Sequence, residues 1–239
     1  MEKVLEITGL EKSFRNCDAL RGVDMSIPAG QIVGLLGPNA SGKTTLLKIV
    51  AGLLQPSAGF VSYYNGALPG PQARQTISFC PDMMAFPQWM RVKDAFIFYR
   101  EMYPDFAQTR ADELTNVLEL QSSRGTYIRR LSKGMKERLA LALTFSRETF
   151  LYLLDEPLDG IDPVGKAHVI DTILTMQPEG ASTLISTHLV KDVERILDCV
   201  YFLSGGRIVF FGQCDVMREE RGQTVEQTYL EVFIHEGII

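Results

Sequence analysis

A doubly wound α/β fold on a buried parallel sheet is what this sequence of 239 residues predicts, and three observations carry the prediction. Ile32-Val33-Gly34-Leu35-Leu36 is short, apolar and bounded by glycines, and after a glycine-rich stretch the chain continues as the apolar run Leu46 to Leu53. That is strand, loop and helix in immediate succession. A second apolar run, Phe150 to Leu154, stops on Asp155-Glu156-Pro157. Between the two, from Met83 to about Tyr127, strand signals vanish and helical spacing replaces them, so the α/β core carries a helical insertion.

In chain order, residues 4–27 read as two strands, Val4 to Phe14 and Ala19 to Ile27, joined by a polar turn through Arg15, Asn16 and Asp18. Phe14 could offer its face to an aromatic base; a half-buried strand aromatic is the plainer account. The next stretch, Gly37-Pro38-Asn39-Ala40-Ser41-Gly42-Lys43-Thr44-Thr45, has the parts of a phosphate-binding loop in order. Backbone N–H groups converge on a phosphate only where a Cβ does not intrude, which places glycine at Gly37 and Gly42. The helix that follows adds partial positive charge, Lys43 reaches the β- and γ-phosphates, and the Thr44 hydroxyl suits Mg²⁺.

Gln55 to Gly59 is a turn, Phe60 to Tyr64 a strand, Asn65-Gly66 another turn, residues 67–75 a loop, and Thr76 to Cys80 a short strand closed by Pro81-Asp82. The insertion begins with Met83 to Met90, rich in Met and aromatics, a composition shared by adaptable protein contacts and by packed cores. Val92, Phe96, Tyr99 and Tyr103, then Leu114, Val117 and Leu118, give helical spacing on both sides of a break at Pro104. Ser132 caps a helix with Met135, Leu139, Ala142 and Leu143 on its apolar stripe. Arg124, Arg129, Arg130, Lys133, Lys136 and Arg138 surround its start, making it a second possible phosphate site.

An acid at the end of a strand beside a phosphate loop can hold Mg²⁺ through water, which suits Asp155, and Glu156 then lies near the γ-phosphate as a water-orienting base. Leu158 to Pro163 is a tight turn with Pro163 opening a helix. Thr183 to Thr187 is a further strand, and His188 at its end points toward the ligand edge of the sheet. Val200 to Ser204, Gly205-Gly206 and Arg207 to Phe211 form a hairpin, and Cys214 to Glu220 and Thr224 to Glu236 are closing helices.

A net charge of −5 does not invite nucleic acid. No apolar run reaches the roughly 18 residues of a membrane span, and the first residues lack a signal-peptide core, so a cytosolic chain is expected. Cys17, Cys80, Cys199 and Cys214 are scattered, as reduced thiols would be.

Together these motifs resemble the ATP-binding subunit of an ABC transporter. Gly37 to Thr45 is similar to Walker A, Leu131-Ser132-Lys133-Gly134-Met135 to the signature loop, Leu151 to Glu156 to Walker B with its catalytic glutamate, Leu158 to Asp162 to the D-loop, and His188 to the switch histidine. The resemblance covers essentially the whole chain. It implies a P-loop NTPase of the ABC-ATPase fold, one domain over residues 1–239. Residues 1–82 and 147–239 would form an antiparallel β subdomain plus a RecA-like core, and 83–146 a helical subdomain with the signature loop.

The resemblance also implies ATP and Mg²⁺ as ligands, catalytic roles for Lys43, Glu156 and His188, metal contacts from Thr44, Asp155 and, as the Q-loop residue, Asp82, and adenine stacking on Phe14. Two such subunits, identical or merely similar, would face head to tail, with Ser132 and the Gly134 amide meeting the partner's γ-phosphate. A separate transmembrane permease would be the load, with no nucleic acid partner, and the chain would sit on the inner face of the cell membrane. Lys133, Met135 and Phe98 to Phe106 resemble exporter subunits, while Asp82 stands where glutamine or glutamate is usual. The alternative is a soluble ABC-type ATPase regulating a process other than transport. No Asn-Lys-x-Asp guanine-reading motif is present.

Overall fold

The computed structural model describes residues 2–63, 75, 77–82, 86–87, 89–235 and 237. The order is β1 (Lys3–Phe14), β2 (Cys17–Pro28), β3 (Ile32–Leu36), α1 (Lys43–Val50), β4 (Ala58–Tyr63), β5 (Ile77–Cys80), α2 (Val92–Met102), α3 (Gln108–Val117) and α4 (Lys133–Phe145). It continues with β6 (Leu151–Asp155), α5 (Pro163–Met176), β7 (Ser182–Thr187), α6 (Val190–Val193), β8 (Cys199–Ser204), β9 (Arg207–Gln213), α7 (Cys214–Arg221) and α8 (Val225–His235).

Alternation sorts the strands into layers. β1, flanked by β2 and β4, makes an antiparallel sheet. The second sheet has the order β5-β6-β7-β3-β8-β9 and is parallel except for β9. Along β6, Leu151 and Leu153 face the core shared with β1, β2 and α1, while Tyr152 and Leu154 face the core shared with the helices from α2 onward. Covered on both sides, β6 has no solvated face, which is why its sequence is continuously apolar. Each leucine so buried contributes roughly 1.5–3 kcal/mol.

Several boundaries differ from the sequence reading. The first helix starts at Lys43 and ends at Val50, not Leu53, because Gly52 turns into the left-handed region just beyond it. β4 begins at Ala58 because Glu11 of β1 pairs with it. Val117 is exposed beside the buried Leu114 and Leu118. Tyr64, the turn at Asn65-Gly66, residues 67–74, Thr76, Met83 to Ala85, Gln88 and Glu236 lie outside the described residues.

Between β5 and β6 the described residues form α2, α3, α4 and short 3-10 turns, with strand pairing limited to single bridges. Arg147, beyond α4, ties this region to the sheet. Its guanidinium grips Asp105 bidentately at 2.9 and 2.8 Å, donates to the Ile77 carbonyl at 2.6 Å, and lies 4.0 Å from the Tyr103 ring centre. No periodicity singles out this residue in the sequence.

Candidate active site

β3 is central in the sheet, and the chain leaves it for the far strands β5 and β6 before returning as β7 beside it. Carboxyl ends of β3, β7 and β6 therefore crowd together where strand order reverses, the crevice in which open α/β sheets bind ligands. Residues 37–45 arch over it. A Cβ at Gly37 would sit 2.2 Å from the Leu203 carbonyl oxygen, so β8 itself demands glycine there. Gly42, at φ 112°, caps α1 in a conformation only glycine tolerates and contributes no side-chain bond to the helix's first N–H groups.

Two networks close the crevice. Lys43, 5% exposed, donates to the carbonyls of Gly37 at 2.8 Å and Pro38 at 3.1 Å and pairs with Glu156 Oε1 at 3.2 Å. Glu156 Oε2 takes His188 Nδ1 at 3.0 Å and the His188 backbone N–H at 3.3 Å. Glu156 is also one of three non-glycine residues at positive φ among the described residues, 49°, held by its N–H bond to the Ser186 carbonyl. Such a conformation costs on the order of 1–3 kcal/mol and collects at functional sites. In the second network, Thr44 Oγ1 and Ser186 Oγ donate to Asp155 Oδ1 at 3.1 and 2.6 Å. Asp155 is 1% exposed, and its Oδ2 is buried with no partner among the described residues. An anionic oxygen so placed, next to a hydroxyl, fits a hard cation.

Phe14 ends β1 with half its surface exposed, opposite Cys17 in the hairpin, and Lys12 Nζ lies 5.1 Å above its ring. Two residues past Cys17, the Ala19 carbonyl packs on Gly42, so the hairpin brings Phe14's end of the sheet to the phosphate loop. Ser132 does cap α4, accepting from Met135 N–H at 3.2 Å. Among the described residues, however, no hydrogen bond or ion pair links 132–134 to residues 37–45. The basic cluster divides: Arg124 pairs with Asp112, Arg138 with Glu119 and Lys133 with Asp159, while Arg129 and Arg130 gather with Arg91 around Tyr127. Arg129, Lys133 and Lys136 line one cavity, whereas Arg124 and Arg138 are engaged elsewhere, so the fold does not gather all six cations at one point.

Asp82 lines a cavity of about 490 Å³ with Asp155, Glu156, Lys133 and Glu137. Partial burial, then the charges of Asp155 and Asp159, pushes its carboxyl above the usual range against the pull of Lys133. Glu137 is likewise raised by burial, with Lys133 opposing. A carboxyl raised on folding binds its proton more tightly in the folded chain, so its contribution to stability falls as pH rises from the ordinary carboxylate value through the raised one. Glu137→Gln, neutral throughout, is expected to gain stability relative to the parent across that window. Urea midpoints of both chains from pH 4 to 7 check it; a constant difference refutes the assignment.

A phosphate loop at a strand-order reversal, an acidic pair where β6 ends one strand further on, and an antiparallel sheet against α1 define a P-loop ATPase of the ABC type. Comparison with known proteins agrees: the ABC transporter family model matches residues 20–159. The uncharacterized ABC transporter ATP-binding protein YdbJ of Bacillus subtilis is 31% identical over 234 residues, 97% of this chain and 75% of that protein. The Nod factor export ATP-binding protein I of Cupriavidus pinatubonensis is 27% identical over 232 residues, 95% of this chain and 71% of that one. A solved ATP-binding subunit of an ABC transporter superposes with a TM-score of 0.85 at 24% identity, covering 96% of this chain and 99% of that one. The chain belongs to the ABC transporter family, as an ATP-binding, ATP-hydrolysing subunit of a transport system.

Proposed function

We propose that this chain drives export through a separately encoded membrane protein by ATP-dependent pairing of two ATPase subunits. The observation that carries the reading is the convergence of Lys43-Glu156-His188 and Thr44-Asp155-Ser186 on one loop, from segments far apart in sequence. Residues 37–45, from Gly37, Pro38, Asn39, Ala40 and Ser41 to Gly42, Lys43, Thr44 and Thr45, wrap the phosphates, and Phe14 carries the adenine. Thr44 and Asp155, with Asp82 at a greater remove, hold Mg²⁺, which when bound supplies positive charge to the phosphoryl oxygens. Lys43 neutralises the same oxygens. Glu156 orients the attacking water and accepts its proton, and His188 keeps the Glu156 carboxylate turned toward that water.

Ser132 and Gly134 have no such ligand in their own subunit. They meet the nucleotide of a second copy, or of a similar subunit, placed head to tail. Residues 83–146 act as the helical unit on which the membrane protein rests, at the inner face of the membrane; Trp89, Ile97, Phe98 and Met102 expose apolar surface there. The export direction is supported by the Nod factor relative. Among the described residues no helix is long and apolar enough to cross a membrane, in keeping with a separate permease.

Purified chain is expected to hydrolyse ATP only with Mg²⁺, and faster in vesicles with its membrane protein. Lys43→Ala should abolish turnover in both settings. A chain with no Mg²⁺-dependent turnover in either setting would sink the proposal, as would stimulation by nucleic acid in place of the membrane protein.

A further inference from the structure

The first turn of α4 meets the rest of the subunit across a gap. Leu139 to Phe145 are buried in the core, but the helix start overhangs the cavity whose other walls are Pro81, Asp82 and Pro157. Apolar packing is therefore dense along the second half of the helix and thin in its first turn, where the part-buried Met135 joins the core. One side chain spans the opening: Lys133 Nζ lies 3.2 Å from Asp159 Oδ2, in the turn after β6, and 3.8 Å from Glu137 Oε1, one helical turn on.

We propose that Lys133 is a positioning residue: anchored to Asp159 and Glu137 of its own subunit, its side chain sets the orientation of the backbone between Ser132 and Gly134. The turn is shaped for this contact. Gly160 follows Asp159 at φ 70°, and a Cβ there would lie 2.0 Å from Lys133 Nζ, so the lysine lies flat across a turn that has no side chain at that point. Ser132 is simultaneously fixed by its capping bond to Met135 N–H. Restraints on both sides of the peptide leave its N–H groups little freedom, and a donor already oriented loses less entropy on binding. Lys133 is thus engaged within its subunit and shapes the phosphate-facing edge rather than contacting the phosphate. The inference rests on the reading that Ser132 and Gly134 face a nucleotide held by another subunit.

The test is a cycle of Lys133→Met, Asp159→Asn and both together, with the exchanged pair Lys133→Asp/Asp159→Lys, each in a Glu156→Gln chain. Half-maximal ATP for dimer formation is read by light scattering. Each single variant should raise it about two- to five-fold, the range of a half-exposed ion pair. The double variant should do no worse than either single one, and the exchanged pair should return within two-fold of the parent. Affinity of the monomer for ATP should not move. Amide exchange over residues 132–136 without nucleotide provides the readout that needs no dimer: faster in both single variants, not additive in the double. That separates failure of the pair from failure of the dimer reading. Additive effects, no effect on exchange, or a phosphate-like loss in the exchanged pair with Asp159→Asn silent would overturn the proposal.

Discussion

Glu156→Gln is expected to bind Mg²⁺-ATP with near-parental affinity and to turn it over about 10²–10⁴-fold more slowly, the usual weight of a positioned general base. The substitution keeps the shape and the hydrogen-bonding reach of the side chain, so His188 still has an oxygen to meet. It removes the charge that Lys43 faces at 3.2 Å and the basicity that takes the proton. Because nucleotide is held and not spent, the variant should shift from monomer to dimer on adding Mg²⁺-ATP. Single-turnover rates and solution mass measure both. A rate within tenfold of the parent rejects Glu156 as the base. A variant that binds ATP yet stays monomeric points to a different ATPase subunit as partner.

Asp105→Ala and Arg147→Ala should each destabilise the fold by about 3–5 kcal/mol, the cost of stranding one member of a buried ion pair. Arg147 is 3% exposed, and its bidentate bond to Asp105, its donation to Ile77 and its contact with Tyr103 bind the α2–α3 connection to the edge strand β5. Ala at Arg147 strands the Asp105 carboxylate; Ala at Asp105 leaves the guanidinium its carbonyl and ring contacts but removes its counter-charge. Against a typical stability of roughly 5–15 kcal/mol, either loss is large. Arg147→Lys should fall between parent and alanine, since an ammonium keeps the charge and loses the fork. Urea unfolding followed by far-ultraviolet circular dichroism reports it, and a change under about 1 kcal/mol for Asp105→Ala contradicts the account.

What was legible in the residues was the chemistry that lives within a few positions of itself. Gly37, Gly42, Lys43 and Thr44 act through one loop, the Ser132 cap reaches three residues ahead, and Pro163 opens the helix that follows it. Period and spacing encode such contacts directly, because backbone geometry dictates which neighbours meet. The same holds for the apolar run of β6, whose lack of alternation announces a strand covered on both faces.

Pairing across long separations was decided only by the tertiary structure. Thr44 and Asp155 are 111 residues apart, Arg147 and Asp105 42, Glu156 and His188 32, and Lys133 and Asp159 26. No local pattern states which of several carboxylates a given cation will meet; that depends on strand order and on the angle at which α4 leaves the sheet. The basic residues from Arg124 to Arg138 show the consequence: their neighbourhood in the chain suggests one anion site, while in the fold Arg124, Lys133 and Arg138 meet three different carboxylates. The sequence determined by itself a phosphate loop, an acidic strand end and a helical interruption between them. Which side chains face one another across the crevice was left to the packing of the sheet, because a charge responds to distance in space and not to distance along the chain.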